Sequence, residues 1–368
     1  MKRKLVAMLI TVAMTAALAA CGSGSGQQTG AGDAGNDAAQ TEGGAGTENN
    51  SDQDTPKEQD APEDSGDNAG TPAAEGEFKI GVVQLAEHPA LDAAYEGFVE
   101  ALKEAGYEDG VNITIDYQNA QGEQANCQTI AEKFVNDKMD LVLAIATPAA
   151  QAMASKTTEI PILVTAVTDP ASSGLVDSNE APGANVSGTS DLTPVKEQID
   201  LLHQLIPEAK KVGILYCSAE DNSEFQADMA VEALAALEMT GEKYTFATLD
   251  EIQAVVESMK DKVDAIYIPT DNKAAEGMAT ISMIATEAKL ATIVGESGMV
   301  DNGALATYGL SYFNLGKLTG KQAVSILKGE ADTATMPIGY LNAEDCEFSY
   351  NEDTAKALEI TIDPSQFQ

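Results

Sequence analysis

From residue 78 onward, short apolar runs alternate with longer amphipathic stretches. The apolar runs include FKIGVVQL, LVLAIA, PILVTAV, KVGILYC and DAIYIP, and the stretches between runs include LDAAYEGFVEALKEAG and DEIQAVVESMKD. Nearly unbroken apolar runs are typical of strands buried on both faces, and a period of about 3.6 residues is typical of amphipathic helices. The alternation therefore predicts an α/β fold in which helices cover both faces of parallel sheets.

Part of this pattern occurs twice in the chain. KIGVVQLAEHPALDAAYEGFVEALKEAGY, which starts at residue 79, aligns with KVGILYCSAEDNSEFQADMAVEALAALEMTG, which starts at residue 211. In the same way, DLVLAIATPAAQAM from residue 140 aligns with DAIYIPTDNKAAEGM from residue 264. Because both units recur in the same order, we expect two homologous lobes, each a parallel sheet flanked by helices.

The two lobes are expected to share the chain through three crossings, near residues 190–194, 303–305 and 329–335. Ligands of open parallel sheets bind beyond the carboxyl ends of the strands, so two facing sheets predict a cleft lined by loops. The predicted boundaries are 78–191 plus 304–330 for the first lobe, and 192–303 plus 331–368 for the second.

The first 21 residues have the character of a secretory leader. MKRK is basic, LVAMLITVAMTAALAA is apolar and rich in small residues, and LAAC ends the segment at Cys21. The alternative, a transmembrane anchor, is disfavoured because the apolar run falls short of the roughly 20 residues that a bilayer requires. LAAC resembles a lipobox, so we expect cleavage before Cys21, its acylation (palmitate) and an extracytoplasmic domain anchored to the cell membrane by lipid.

The next segment, residues 22–77, is polar and acidic. It contains thirteen acids, one lysine and no aromatic residue, Ile, Leu, Val or Met. Such a segment cannot bury enough apolar area to offset chain entropy, which predicts a disordered tether.

The leader contributes +3 and the tether −12 to the net charge of −38, which leaves −29 on residues 78–368. A domain this acidic excludes nucleic acid as a partner, because binding requires Lys and Arg at phosphates.

The cysteines and histidines indicate neither a metal site nor an enzyme. With Cys21 acylated, Cys127, Cys217 and Cys346 remain, an odd number without a C-x-x-C motif, which argues against a disulfide framework or zinc. Their default role is that of small buried residues. The chain has two histidines and no G-x-S-x-G, H-E-x-x-H or P-loop motif. We therefore expect a binding protein without a cofactor.

The lipobox and the segments GVVQLAEHPALD, ATPAAQ, TDP, AEDNS and PTDN together resemble the tryptophan/tyrosine-type substrate-binding lipoproteins of ABC importers. The resemblance extends from about residue 78 to the end. It implies a periplasmic-binding-protein fold of type I, with three crossovers and a hinge that closes around one small ligand. It further implies a monomer that delivers an amino acid, preferably aromatic, to an ABC permease with its ATPase.

The resemblance also places a pocket on this sequence. Its residues are Gln84, His88, Thr147, Pro148, Ala149, Thr168 and Asp169 in the first lobe, Ser190 and Asp191 at a crossover, and Ser218, Asp221, Asn222, Thr270, Asp271, Asn272, Glu296, Ser297 and Tyr308 beyond it.

Chemistry assigns roles to some of these residues. Thr147 is expected to cap the helix that begins at TPAAQ, whose free amides and dipole suit a carboxylate. Asp271 or Asp169 could bind an ammonium group, with a helix cap as the alternative for each; ligand contact is favoured for Asp271 and neither role for Asp169. Glu296 is either a ligand acid or a solvated loop end. The Tyr308 ring either stacks on an aromatic ligand or packs within its lobe.

Other functions remain compatible with the same residues. A lipid-anchored protein of this fold could present its ligand-bound form to a membrane receptor rather than to a permease. His88, next to Pro89, is expected to form hydrogen bonds in a turn rather than to act as a catalyst. The loops alone indicate a small polar ligand, so a nucleoside or a sugar is an alternative to an amino acid.

Overall fold

The computed structural model describes residues 77–341 and 345–367. The predicted leader, its lipidation site at Cys21 and the tether up to residue 76 lie outside the described residues. Within the described ranges, no helix combines the length and the apolar character needed to cross a bilayer.

The first lobe is built on five parallel strands in the spatial order β2-β1-β3-β4-β5. The strands are β1 (Phe78–Gln84), β2 (Ile113–Asn119), β3 (Leu141–Ile145), β4 (Ile162–Val167) and β5 (Val186–Ser190), and the helices between them are α1 (Pro89–Glu104), α2 (Gln124–Asp137) and α3 (Thr147–Ala154). Every residue of β3, β4 and β5 is buried. Strands β3 and β4 are central and covered on both faces, whereas β5 lies at the edge of the sheet, where Met336 and Gly339 contact Ser187 and Thr189.

The second lobe has six strands in the order β11-β10-β9-β8-β6-β7, of which only β11 runs antiparallel to its neighbour. The strands are β6 (Lys211–Cys217), β7 (Thr240–Phe246), β8 (Ala265–Ile268), β9 (Ala291–Val294), β10 (Ala306–Leu310) and β11 (Cys346–Tyr350). The later helices are α4 (Val195–Leu205), α5 (Asp221–Ala236), α6 (Leu249–Met259), α7 (Asn272–Glu276), α8 (Met278–Glu287), α9 (Ser297–Asp301), α10 (Tyr312–Leu327) and α11 (Glu352–Ala357). A 3₁₀ turn at Pro364–Phe367 ends the described chain.

The predicted repeat is visible in both topology and side-chain function. Without β11, the second sheet has the order β7-β6-β8-β9-β10, which matches β2-β1-β3-β4-β5 strand for strand. The acid that begins each aligned segment has the same role. Asp140 accepts the Lys79 amide at 2.7 Å, and Asp264 accepts the Lys211 amide at 2.8 Å. Each acid therefore links the turn before one strand, β3 or β8, to the start of the adjacent strand, β1 or β6.

Two of the three predicted crossings are misplaced. Residues 304–330 were predicted to lie in the first lobe, but β10 pairs with β9 and β11 and so completes the second sheet before the chain crosses at Ser311. Residues 331–341 also remain with the first lobe, because the Ser190 amide donates to the Gly339 carbonyl at 2.9 Å. Leu341 is therefore still with the first lobe and Cys346 is already in the second sheet, while the first crossing runs through residues 191–194.

Helix α10 returns to the first lobe and packs on α1 at very short range. A Cβ atom on Gly316 would lie 1.9 Å from the Ala94 carbonyl oxygen, and one on Gly97 would lie 2.0 Å from the Phe313 carbonyl oxygen. Only glycine permits backbones to approach this closely. The packing holds the N-terminus of α10, and with it Tyr312, at the junction between the lobes.

Candidate functional site

A small cavity lies between the lobes, where the carboxyl ends of the two sets of parallel strands face each other. It encloses about 10 Å³, roughly the room for one water molecule. Its lining consists of His88, Leu91 and Ala166 from the first lobe, Asp191 and Tyr312 at the crossings, and Asn222, Thr270, Asp271, Asn272, Ala275, Glu296 and Met299 from the second lobe. The lobes are therefore closed on each other.

Polar contacts across the cleft surround this cavity. Gln226 on α5 donates from Nε2 to the hydroxyl oxygens of Thr168, at 3.1 Å, and Thr270, at 2.5 Å, and so links the two lobes. Other cross-lobe contacts are Gln151 Nε2 to Asp221 Oδ2 at 2.9 Å, Lys273 Nζ to the Gly122 carbonyl at 3.2 Å, and His88 Nε2 to Asn272 Oδ1 at 3.3 Å. Because each contact needs both lobes, all of them depend on closure.

Each of two carboxylates at the cavity has one oxygen hydrogen-bonded within the protein and one oxygen without a partner among the described residues. Asp191, 3% exposed, accepts the Tyr312 hydroxyl at Oδ2 at 2.6 Å, and Glu296, also 3% exposed, accepts the Gly298 amide at Oε2 at 2.5 Å. Asp191 Oδ1 and Glu296 Oε1 are buried and have no hydrogen-bond partner of good geometry in the described part of the chain. Burial raises the pKa of Asp191 to about 6 and that of Glu296 to about 7, because a desolvated carboxylate is costly to ionise.

Asp271, the acid expected to bind an ammonium group, is fully used within the protein. Its Oδ1 accepts the Ala274 amide and its Oδ2 accepts the Cys217 amide, both at 2.6 Å, so it caps α7 and ties that helix to β6. Burial raises its pKa. Behind it, Glu220 accepts the Asn272 side-chain amide at 2.6 Å, and burial together with Asp271 raises the Glu220 pKa to about 8. These two acids hold the loops of the second lobe in place.

Further buried polar atoms at the cleft lack a partner among residues 77–341 and 345–367. They are Asn222 Oδ1, His88 Nδ1, Thr147 Oγ1 and Gln84 Oε1. The orientation of the Asn222 amide is fixed, because its Nδ2 donates to the Thr270 carbonyl at 3.1 Å. Leaving a buried polar group unpaired costs roughly 1–3 kcal/mol. A group of such atoms from both lobes makes the cleft the candidate ligand site.

The start of α3 differs from the prediction. Ala146 is the N-cap and Thr147 is the first helical residue, so Thr147 is not the cap, and its buried hydroxyl (1% exposed) caps nothing. Ala146 has φ +83° and ψ 150°, and Ala166, on the neighbouring strand, has φ +54°. Each such backbone costs an alanine roughly 1–3 kcal/mol, and strain of this kind is concentrated at functional sites. Here it turns the start of α3 sharply at the end of β3.

The other predicted residues of the first lobe and the crossover form the surroundings of the cavity. Gln84 donates from Nε2 to Asp92 at 2.6 Å, and Ser190 donates from Oγ to the Thr168 carbonyl at 2.6 Å. Pro148 and Ala149 are buried in the first turn of α3.

Several predicted site residues lie elsewhere. The ring of Tyr308 packs against Phe348, with centroids 5.7 Å apart, because Tyr308 lies in the middle of β10 and only strand ends reach the cleft. Ser218 is exposed and donates to the Phe246 carbonyl at 3.3 Å. Three more predicted residues have local or peripheral roles. Asp169 accepts hydrogen bonds from Ser172 N and Asn179 Nδ2 within a turn. Asp221 is exposed and accepts a hydrogen bond from Gln151 at the edge of the cleft, and Ser297 is the half-buried first residue of α9.

The cavity also has members that the sequence did not reveal. They are Leu91, Ala166, Ala275, Met299 and Tyr312. The first four are apolar residues near strand ends or in helices that begin at the cleft, which no polar motif marks. Ser311 could have indicated the position of Tyr312. It is a typical N-cap residue and accepts the Asn314 amide at 3.3 Å, so α10 begins at Tyr312.

The remaining reactive side chains form no second centre. No group of three or more His, Cys, Asp or Glu side chains that could hold a metal ion occurs within the ranges that the structure covers. Cys127 and Cys217 are buried free thiols and Cys346 is a half-buried one. Burial raises the pKa of Cys127 to about 11 and that of Cys217 to about 12, so both are protonated at neutral pH.

Comparison with known proteins agrees with this architecture. The family model of the ABC transporter substrate-binding proteins matches residues 79–366. A tyrosine-binding protein of Clostridioides difficile (strain R20291) is 43% identical over 281 residues, which is 76% of this chain and 81% of that protein.

Two solved structures resemble the chain along almost their whole length. An ABC domain from Streptococcus pneumoniae in complex with L-Trp is 37% identical, with a TM-score of 0.76 over 79% of this chain and 97% of that one. A ligand-free, open substrate-binding protein with adhesive properties from Clostridium difficile is 44% identical, with a TM-score of 0.62 over 79% and 97%. The predicted two-lobed, type I periplasmic-binding-protein fold is confirmed, and the chain belongs to the ABC transporter substrate-binding protein family.

Proposed function

We propose that this substrate-binding protein captures a free aromatic amino acid in the cleft and delivers it to the permease of an ABC importer. The observation that carries the proposal is a set of three buried oxygen atoms around one cavity. They are Asp191 Oδ1, Glu296 Oε1 and Asn222 Oδ1, each without a hydrogen-bond partner among the described residues.

An α-ammonium group complements these oxygens in number and charge. It offers three N–H donors, and two of the three acceptors are carboxylates, which form the strongest hydrogen bonds with a cation. No lysine or arginine lines the cavity within the described ranges, so the protein itself does not neutralise Asp191 and Glu296 there. A bound ammonium group would supply that charge and lower the pKa of both acids.

The carboxylate of the amino acid would be bound by neutral donors. The only arginine of the chain is Arg3, in the predicted leader, so the described residues contain no guanidinium group. The first turn of α3 offers backbone amides and the Thr147 hydroxyl, which had no partner among the residues described. A helix N-terminus favours an anion through both its free N–H groups and its dipole.

The aromatic preference is inferred from the relatives together with the apolar lining. Leu91, Ala166, Ala275 and Met299 provide apolar surface, and Met299 can contact a ring through its sulfur. The C. difficile relative is named for tyrosine, and the S. pneumoniae structure contains L-Trp. Both ligands combine an α-ammonium, an α-carboxylate and an aromatic ring.

Capture would proceed by hinge closure. A cavity of about 10 Å³ admits no amino acid, so the lobes must separate before a ligand can enter. The chain is closer to the L-Trp complex (TM-score 0.76) than to the open, ligand-free relative (0.62), although the open relative has the higher sequence identity. The lobes would then close around the ligand in an arrangement that leaves a larger cavity than the one in this structure.

The location follows from the leader and from the family. Family membership implies an extracytoplasmic protein that acts with a permease and its ATPase. We propose that acylated Cys21 holds the protein at the membrane, that residues 22–77 act as the tether, and that the binding unit is a monomer. Substitution of Cys21 by serine is expected to release the protein from the membrane fraction.

Calorimetry of the purified chain with tyrosine, tryptophan and two tyrosine analogues tests the proposal. Tyramine lacks the carboxylate and hydroxyphenylpropanoate lacks the ammonium group. We expect both amino acids to bind, and loss of the ammonium group to weaken binding more than loss of the carboxylate. The chain contains no tryptophan, so the fluorescence of bound L-tryptophan offers an independent signal. Binding of a nucleoside or a sugar, with no response to amino acids, would overturn the proposal.

A further inference from the structure

His88, at the N-cap of α1, brings one unused nitrogen to the cavity. The side chain is 7% exposed and lines the cavity together with residues of the second lobe. Its Nε2 lies 3.3 Å from Asn272 Oδ1 across the cleft. Its Nδ1 is buried and has no hydrogen-bond partner among the residues that the structure describes.

Hydrogen bonds behind Asn272 determine which ring nitrogen carries the proton. Glu220 accepts the backbone amides of Asn272, at 3.2 Å, and Lys273, at 3.1 Å, and also accepts Asn272 Nδ2 at 2.6 Å. The nitrogen of the Asn272 side chain therefore points to Glu220, and its Oδ1 points to His88. Since Oδ1 can only accept, the proton of the His88 ring resides on Nε2.

The second nitrogen is consequently an acceptor. Burial lowers the pKa of His88, so the ring is neutral at pH 7, and a neutral ring with a proton on Nε2 has a lone pair on Nδ1. A buried acceptor without a donor is costly, and a ligand that supplies a donor at this position gains affinity relative to one that does not.

We propose that His88 Nδ1 accepts a hydrogen bond from the side chain of the ligand and thereby selects tyrosine and tryptophan over phenylalanine. The inference rests on the proposed function. The tyrosine hydroxyl and the indole N–H are both donors, whereas the phenylalanine ring has none. Asn272 and Glu220 act as positioning residues. Asn272 fixes the tautomer of the His88 ring, and Glu220, which does not touch the ligand, fixes the orientation of Asn272.

The placement of His88 in the fold suits this role. His88 follows β1 and Asp191 follows β5, and β3 and β4 lie between those strands. Three strand spacings amount to roughly 14 Å between backbones. In this structure both side chains line the one closed cavity, and separation of the lobes would open the space between them to a ligand. The ammonium group would then lie at Asp191 while the ring donor lies near His88.

Affinities for tyrosine, tryptophan and phenylalanine, measured with the full chain, test this selection. We expect phenylalanine to bind at least tenfold more weakly than tyrosine, as for a complex that leaves one buried acceptor unpaired. In His88→Leu the ratio should fall to within about twofold, since no acceptor remains to be satisfied. His203→Leu, which replaces the only other histidine, is the control and should keep the original ratio. An unchanged ratio in His88→Leu would overturn the inference.

A measurement that does not depend on altering the site uses nitrogen NMR. His203→Gln leaves His88 as the single imidazole, whose Nε2 should show the shift of a protonated nitrogen and whose Nδ1 should show that of an unprotonated one. Addition of tyrosine should move the Nδ1 resonance more than addition of phenylalanine. A protonated Nδ1, or equal shifts with both ligands, would contradict the assignment.

The outcomes separate the two proposals. If none of the three amino acids binds, the proposed function fails and the role of His88 fails with it. If all three bind with equal affinity, the function stands and only the selection by His88 is refuted. In Asn272→Leu, which frees the tautomer, the tyrosine-to-phenylalanine ratio should fall below that of the wild type.

Discussion

Strands β8 and β9 end side by side in the second sheet, and each is followed by a buried acid that caps a five-residue helix. Asp271 caps α7 through the Ala274 amide, and Glu296 caps α9 through the Gly298 amide. The second oxygen of Asp271 accepts the Cys217 amide at 2.6 Å, whereas the second oxygen of Glu296 has no partner in the described structure.

The difference distinguishes a structural acid from an acid that we propose binds the ligand. Residue type, burial and place in the fold are alike, and burial raises the pKa of both. Only the remaining lone pairs differ. Where the fold uses every oxygen, the acid stabilises the protein, and where it leaves one unused at a cavity, the acid is available to a ligand. Asp191, with its free Oδ1, belongs with Glu296 in this respect.

The substitution with the largest expected effect is Glu296→Gln. It keeps the shape of the side chain but removes a charge that we assign to the ammonium group. Tyrosine affinity should fall roughly 100-fold, about 2.7 kcal/mol, in calorimetry. The free energy of unfolding, measured by urea denaturation, should equal or exceed that of the wild type, since a buried charge has been removed. Full affinity in this variant would contradict the assignment of Glu296.

The matched substitution, Asp271→Asn, should show the opposite pattern. The two carboxylate oxygens of Asp271 accept the backbone amides of Ala274 and Cys217. In Asp271→Asn one of these oxygens is replaced by an NH₂ group, which places two donors against each other. The free energy of unfolding should fall by about 2 kcal/mol. Affinity for tyrosine should change less than in Glu296→Gln. If Asp271→Asn lost affinity at unchanged stability, the distinction between the two acids would be wrong.

A smaller effect is expected from pH. Asp191 and Glu296 have native pKa values of about 6 and 7, above those of unfolded carboxyl groups, so the native state takes up protons first as the pH falls. The ligand-free protein should therefore melt at a higher temperature at pH 5.5 than at pH 8. Affinity for tyrosine should fall as the pH is lowered over the same interval, because a protonated acid no longer carries the negative charge that attracts the ammonium group. Glu296→Gln should flatten both trends.

Much of the fold could be predicted from the sequence because most strands are apolar and contiguous. Strand β5 was missed because its sequence, VSGTS, is polar. Thr189 bonds to the hydroxyls of Thr165 and Thr319, and Ser187 donates to the Met336 carbonyl, so partners far along the chain allow β5 to be buried. No local pattern contains these partners. Helix α10 and the antiparallel strand β11 were not predicted either.

The site could be predicted only as a set of loops. Asp191, Asn222 and Glu296 were among the candidates because the family resemblance placed them in the pocket. Which oxygen each leaves free depends on distant residues, such as Tyr312, 121 positions from Asp191. Only the family resemblance placed Tyr308 in the pocket, and the structure shows the alternative, a ring that packs within its lobe from the middle of β10.

The central claim, that an ammonium group binds between Asp191 and Glu296, is tested most directly by proton release. Tyrosine binding at pH 6.5 would be measured calorimetrically in buffers of different ionisation enthalpy. A bound cation lowers the pKa of both acids, so the account predicts release of about one proton per ligand, and less in Glu296→Gln. Binding without proton release, or with proton uptake, would contradict it.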